Sequence, residues 1–106
     1  MMFRIAVNAP CEEVISILKE KFPVQAETSR SYRIFSYIAE IYHNENYEDY
    51  DRTIPDEFLY YQTNADFCEV QKSSQQEEIN FAKSVQQIFR NQGWKAEIVA
   101  EFEHLL

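Results

Sequence analysis

The side chains of this chain that could do chemistry are two histidines, two cysteines and a surplus of carboxylates. His43, followed by Glu45 and Asp49, offers imidazole and carboxylate donors of the kind that hold a divalent metal. A fixed metal centre needs several converging ligands, and neither H-E-x-x-H nor a comparable spacing supplies them. His43 therefore reads as an exposed residue at a strand end, and His104 as part of a terminal tail. Carboxylates occur as neighbours at Glu12-Glu13, Asp56-Glu57 and Glu77-Glu78, and general acid–base work would require one member to be buried. The first and third pairs begin proposed helices, where the helix dipole explains them without any catalysis. Cys11 would also sit near a helix start, which lowers a thiol pKa. Its place in an apolar stripe and the lack of a neighbouring histidine make it a packing residue instead.

Gly93 is the only glycine, and it removes whole classes of mechanism. A P-loop, a dinucleotide G-x-G-x-x-G and a G-x-S-x-G nucleophile elbow each need at least two. The glycine-bearing RNP1 motif of RNA-binding sheets is absent as well. No catalytic, cofactor-binding or metal-binding residue is assigned, and a non-enzymatic role is expected. The positive feature is Tyr47, Glu48, Asp49, Tyr50 and Asp51, where aromatic anchors alternate with carboxylates. Tyrosine is enriched at protein interfaces, and carboxylates beside it steer a basic partner. An ordinary acidic loop with its tyrosines folded back on the sheet edge is the competing reading.

The totals agree with that direction. The chain has 106 residues, 45% of them hydrophobic and 15% aromatic, which suits one globular domain over residues 1–106. Its formal net charge of −8 repels phosphate backbones and anionic lipid, so neither nucleic acid nor membrane is an expected partner. Solubility alone would also explain the charge. Lys72 and the Arg30–Arg33 neighbourhood are the only basic spots near aromatics. No apolar run approaches the length of a membrane span, and the Met-Met-Phe-Arg start lacks the layout of a signal peptide. Cys11 and Cys68 lack CxxC spacing, so zinc-knuckle and thioredoxin-like motifs are absent, and free thiols in a reducing cytoplasm are expected.

The elements that must position these residues follow from periodicity. Phe3, Ile5 and Val7 alternate with Arg4 and Ala6, a strand signal. Pro10 at a first helical position opens a helix to about Lys21, with Cys11, Val14, Ile15, Leu18 and Phe22 as its apolar stripe and Pro23 as its stop. Residues 31–43 fit either a strand or a helix. Their aromatic and β-branched content favours one strand in which Phe35, Tyr37, Ala39 and Ile41 share a face. Asn44 to Asp56 is a polar, acidic connection. Leu59, Tyr61, Thr63, Ala65 and Phe67 then alternate as a strand, with a hairpin turning at Thr63–Asp66 as the rival.

The clearest helix starts with the Ser74/Glu77 capping-box spacing. It carries the stripe Phe81, Ala82, Val85, Ile88 and Phe89, and ends at Gly93 as the left-handed residue. From Trp94 the period becomes two, with Trp94, Ala96, Ile98, Ala100 and Phe102 pointing inward. The resulting order predicts an α+β fold of ferredoxin-like βαββαβ type, with two helices on one face of a four-stranded antiparallel sheet.

The helix end Asn91-Gln92-Gly93-Trp94, the strand Lys95 to Ala100 and the acidic Glu101-Phe102-Glu103 resemble the C-terminal half of small bacterial proteins of ferredoxin-like type. Some of those are uncharacterised and some are immunity proteins of toxin systems. The likeness spans Phe58 to Glu103, carries no diagnostic motif and transfers no functional residue. Together these features lead to an expected protein-binding module, an immunity protein or inhibitor that blocks a basic toxin through Tyr47–Asp51. A small-molecule-sensing or assembly domain forming a sheet-edge homodimer is the alternative, and an enzyme with an unrecognised site ranks last.

Overall fold

A computed structural model of the chain describes residues 2–28, 30–45, 47, 61–72 and 74–100. Its elements are β1 (Met2–Val7), α1 (Cys11–Lys21), β2 (Val24–Ala26), β3 (Ser31–Ile34), β4 (Tyr37–His43), β5 (Thr63–Glu69), α2 (Gln75–Asn91) and β6 (Ala96–Val99). The strands form one sheet in the order β2-β3-β4-β5-β1-β6, and every neighbouring pair is antiparallel. The fold is therefore α+β with two helices, but the sheet has six strands where four are expected.

The two additional strands come from the region between α1 and β4. Residues 31–43 are a hairpin and not one strand: Ile34 pairs with Tyr37, and Phe35 and Ser36 make a two-residue loop. Such loops call for positive φ, normally supplied by Gly or Asn. Here Phe35 adopts φ 54, which is why no turn signal is visible in the sequence. Its ring meets Phe22 edge-on at 5.6 Å and Phe81 at 6.2 Å, and the Val70 N–H donates to the Ser36 carbonyl at 2.8 Å. These contacts compensate a backbone conformation that disfavours an aromatic residue. Phe35 is thus 57% exposed at the tip, outside the inward face expected for it, while Tyr37, Ala39 and Ile41 do share the core face. The preceding strand β2 is only three residues long and gives almost no periodic signal.

Residues 63–69 form a single strand, so the hairpin at Thr63–Asp66 does not occur. Thr63, Ala65 and Phe67 are buried as the alternation requires. Along β1 the inward Phe3, Ile5 and Val7 share one core with these residues, with Val14, Ile17 and Leu18 of α1, and with Ile79, Ala82, Val85 and Phe89 of α2. Phe3 and Phe67 stack at 4.8 Å, and Tyr37 stacks on Phe81 at 4.5 Å.

In α1 the buried stripe runs through Val14, Ile17 and Leu18, with Cys11, Ile15 and Phe22 at its margin. Pro10 is the N-cap at φ −62 and ψ 147, one position before the helix proper, and it contributes no side-chain cap. In α2 the Ser74 hydroxyl accepts from the Glu77 N–H at 3.1 Å. At the other end Gly93, at φ 86, donates to the Arg90 carbonyl at 2.9 Å, and Trp94 N–H donates to Phe89 at 3.4 Å. This is a Schellman motif, completed by the apolar contact of Trp94 with Phe89 at 6.1 Å between ring centres. Ala96 and Ile98 of β6 then point inward as expected. No helix among the described residues is long and apolar enough to cross a membrane.

Candidate protein-binding surface

The acidic segment that the sequence singles out is carried on the connection between β4 and β5. His43 pairs with Thr63, so the connection leaves and re-enters the sheet at one end. Its root is fastened by Asn44, which is 5% exposed. The Asn44 backbone N–H donates to the Gln62 carbonyl at 2.9 Å, and its side-chain amide donates to the Tyr61 carbonyl at 2.7 Å. Tyr47 N–H turns back onto the Asn44 carbonyl at 3.1 Å. The Tyr47 side chain is 38% exposed, with its ring edge-on to the exposed His43 at 5.7 Å. Glu48, Asp49, Tyr50 and Asp51 lie outside the described residues, as do Asp56, Glu57, Leu59, Phe102 and His104.

The same end of the sheet receives the start of α1. Thr63 is fully buried, and its hydroxyl donates to the Ala9 carbonyl at 2.6 Å and lies 3.4 Å from the Cys11 sulfur. These contacts fix the β1–α1 junction beside the root of the acidic connection. Glu12 and Glu13 follow in the first turn of α1, both exposed. The β6 side closes on the same end, because Asn8 N–H donates to the Lys95 carbonyl at 2.9 Å. Between α1 and the end of α2 lies a groove of about 310 Å3, lined by Glu12, Glu13, Ser16, Ile17, Glu20, Gln92 and Trp94. Sequence reasoning assigns Glu12 and Glu13 to the helix dipole and Trp94 to the core, and it misses this groove. The visible signal is the spacing of Glu13, Ser16 and Glu20, which share one side of a helix.

The opposite sheet face carries a charged network. Arg4 Nε donates to Asp66 Oδ1 at 2.7 Å, and Arg4 Nη2 donates to the Tyr42 hydroxyl at 2.9 Å. That hydroxyl in turn donates to Asp66 Oδ2 at 2.6 Å. Burial, reinforced by the hydrogen bond and charge of Asp66, pushes the Tyr42 phenol up to about 12. The hydrogen bond with Asp66 also holds Arg4 above the ordinary guanidinium range. A phenol and a guanidinium held in these states do not exchange protons near neutral pH. The network is a clamp across β4, β5 and β1, and Arg4 and Asp66 are 62 positions apart in the chain, which hides it from local patterning.

Among the described residues no group of three His, Cys, Asp or Glu is placed to hold a metal. Cys11 and Cys68 are both free thiols. Cys68 pairs across the sheet with Met2 and Ile38, whereas Cys11 lies against Thr63 at the other end of β5. Of the carboxylate pairs, Glu77-Glu78 begins α2 as expected, and it has one buried member, because Glu78 is 1% exposed. Both sheet edges are short. The β6 edge is also occupied, since the Ala96 carbonyl accepts from Gln86 at 3.0 Å and Arg90 at 3.2 Å. Arg90 additionally reaches Glu97 at 3.3 Å.

Comparison with protein-family models, with curated proteins and with solved structures finds no match to this chain.

Proposed function

We propose that this protein is a non-enzymatic module that binds a basic protein partner, and that it acts as an immunity protein or inhibitor by steric and electrostatic blocking. The observation that carries the reading is the junction, at one end of the sheet, of the acidic start of α1 with the root of the connection that bears the acidic sequence. The exposed first turn of α1 (Glu12, Glu13) and the root of the connection bearing Tyr47–Asp51 are joined through Thr63, Ala9 and Cys11. Their carboxylates add to a chain charge of −8, and summed like charge attracts a basic protein from beyond contact distance. Tyr47, exposed at that root, supplies an aromatic anchor of the type that dominates docked interfaces.

The architecture is read on the same terms as a ferredoxin-like plan enlarged at one edge. β1 and β4 are each antiparallel to the β5 between them, and β5 and β6 are each antiparallel to the β1 between them. With α1 after β1 and α2 between β5 and β6, these are two split βαβ units, to which β2 and β3 add a hairpin.

The test is affinity capture from an extract of the source organism at low and raised salt, with the wild-type protein and a Glu48→Ser, Asp49→Ser, Asp51→Ser variant. Wild-type protein should recover a basic protein that salt releases and that the variant fails to retain. Equal recovery of the same proteins by both would overturn the assignment of this loop.

A further inference from the structure

We propose that the groove between α1 and the α2–β6 turn is the seat for a cationic side chain of that basic partner, an arginine above all, with Trp94 as its wall. The inference rests on the proposed function and assigns it a second contact, distinct from the Tyr47–Asp51 loop. The base of the groove is apolar: Ile17 is buried in the core, and Trp94 is half-buried with its ring fastened to Phe89. The Schellman turn through Gly93 sets the direction in which Trp94 leaves the helix, and the contact with Phe89 backs one side of the indole. Around that base stand the exposed Glu12, Glu13 and Glu20, with Ser16 between them on α1. Among the described residues none of these three carboxylates has an ion-pair partner.

An apolar wall with uncompensated negative charge at its rim matches a side chain with an aliphatic stem and a cationic head. The stem would cover Ile17 and Trp94, and the head would meet the carboxylates and the indole face. Arginine suits this arrangement better than lysine, because its planar guanidinium both stacks on aromatic rings and pairs with carboxylates through two parallel hydrogen bonds. The volume of about 310 Å3 accommodates one such side chain with neighbouring backbone.

Trp94 is the only tryptophan, so its emission reports the groove directly. Hexa-arginine, hexa-lysine and a neutral hexapeptide should be titrated against the wild-type protein, the Glu13→Gln, Glu20→Gln variant and the loop variant of the capture experiment. Calorimetry should be run in parallel. Both glutamates are exposed, so the double variant should keep the far-ultraviolet circular dichroism and denaturation midpoint of the wild type, and its emission change is read against its own unliganded spectrum. Hexa-arginine should change Trp94 emission saturably, less so as salt rises, and more tightly than hexa-lysine. The loop variant should retain that response, and the groove variant should bind about ten-fold more weakly, as expected for the loss of two exposed charge contacts. Binding seen by calorimetry without an emission change, or equal affinity in the groove variant, would overturn the groove while leaving the loop reading to the capture experiment. Absence of any binding by hexa-arginine would also overturn it.

Discussion

At the scale of single residues, Gly93 is required by its backbone conformation and Tyr42 is set by its surroundings. Gly93 ends α2 at φ 86, where a Cβ would meet nothing within 4 Å but the backbone conformation itself is unfavourable for an L side chain. Gly93→Ala should therefore destabilise the fold by about 1 kcal/mol through backbone strain alone, measured by equilibrium denaturation. Tyr42 is held neutral by burial and by its hydrogen bond to Asp66. Its folded pKa of about 12 lies above the ordinary value of 10.0, so its contribution to stability is complete below pH 10 and disappears as pH rises through about 12. Ultraviolet titration of tyrosinate should show a step near pH 12 that is absent in Tyr42→Phe. A titration curve identical in the wild type and Tyr42→Phe at that pH would show that the Arg4–Tyr42–Asp66 clamp does not form.

At the scale of elements, α2 and β6 behave as one unit. The Ser74 cap, the Schellman turn and the Gln86 and Arg90 bonds to Ala96 define both ends and the docking of the strand. Phe89 sits at the centre, fully buried in the same core as Ile98 and against Trp94. Phe89→Ala should destabilise by about 3–5 kcal/mol in chemical denaturation, because it removes a large side chain from a closely packed site. A loss below about 1 kcal/mol would mean the core can collapse around the change. The β3–β4 hairpin is the contrasting element. Its turn depends on Phe35 being held at positive φ by Phe22, at the exit of α1, and Phe81 of α2.

At the scale of the whole molecule, charge and shape act together. The exposed Glu12 and Glu13 at the start of α1 and the root of the β4–β5 connection lie at one end of the sheet, and under the proposed function a field of one sign there would speed encounter with a basic partner. Association with the captured partner should slow as salt rises, since the screening length falls from about 10 Å at 0.1 M to about 3 Å at 1 M. In stopped-flow or surface-binding kinetics, replacing Glu48, Asp49 and Asp51 with Ser should mainly slow association. Replacing Tyr47 and Tyr50 with Ala should mainly speed dissociation, because aromatic anchors act in the docked state. Association rates independent of both salt and the three carboxylates would remove steering from the account.

The local signals in the sequence were sufficient for α2, with its Ser74 cap and Gly93 stop, for the inward phases of β1, β5 and β6, and for the existence of α1. In each of these, period, cap and burial follow from contacts a few positions apart or from a face that must be apolar. The sequence did not reveal the β3–β4 turn, the three-residue β2, the burial of Glu78, the Arg4–Tyr42–Asp66 clamp or the groove at Trp94. Each of these depends on residues brought together from distant parts of the chain: Phe35 is stabilised by rings of α2 and of the α1 exit, Arg4 finds Asp66 only through strand register, and Trp94 faces α1 only once both helices lie on one side of the sheet. Short-range periodicity determined α1, α2, β1, β5 and β6; strand register and helix docking decided the added hairpin and which charges and rings meet, because those distances are set by packing and not by sequence spacing.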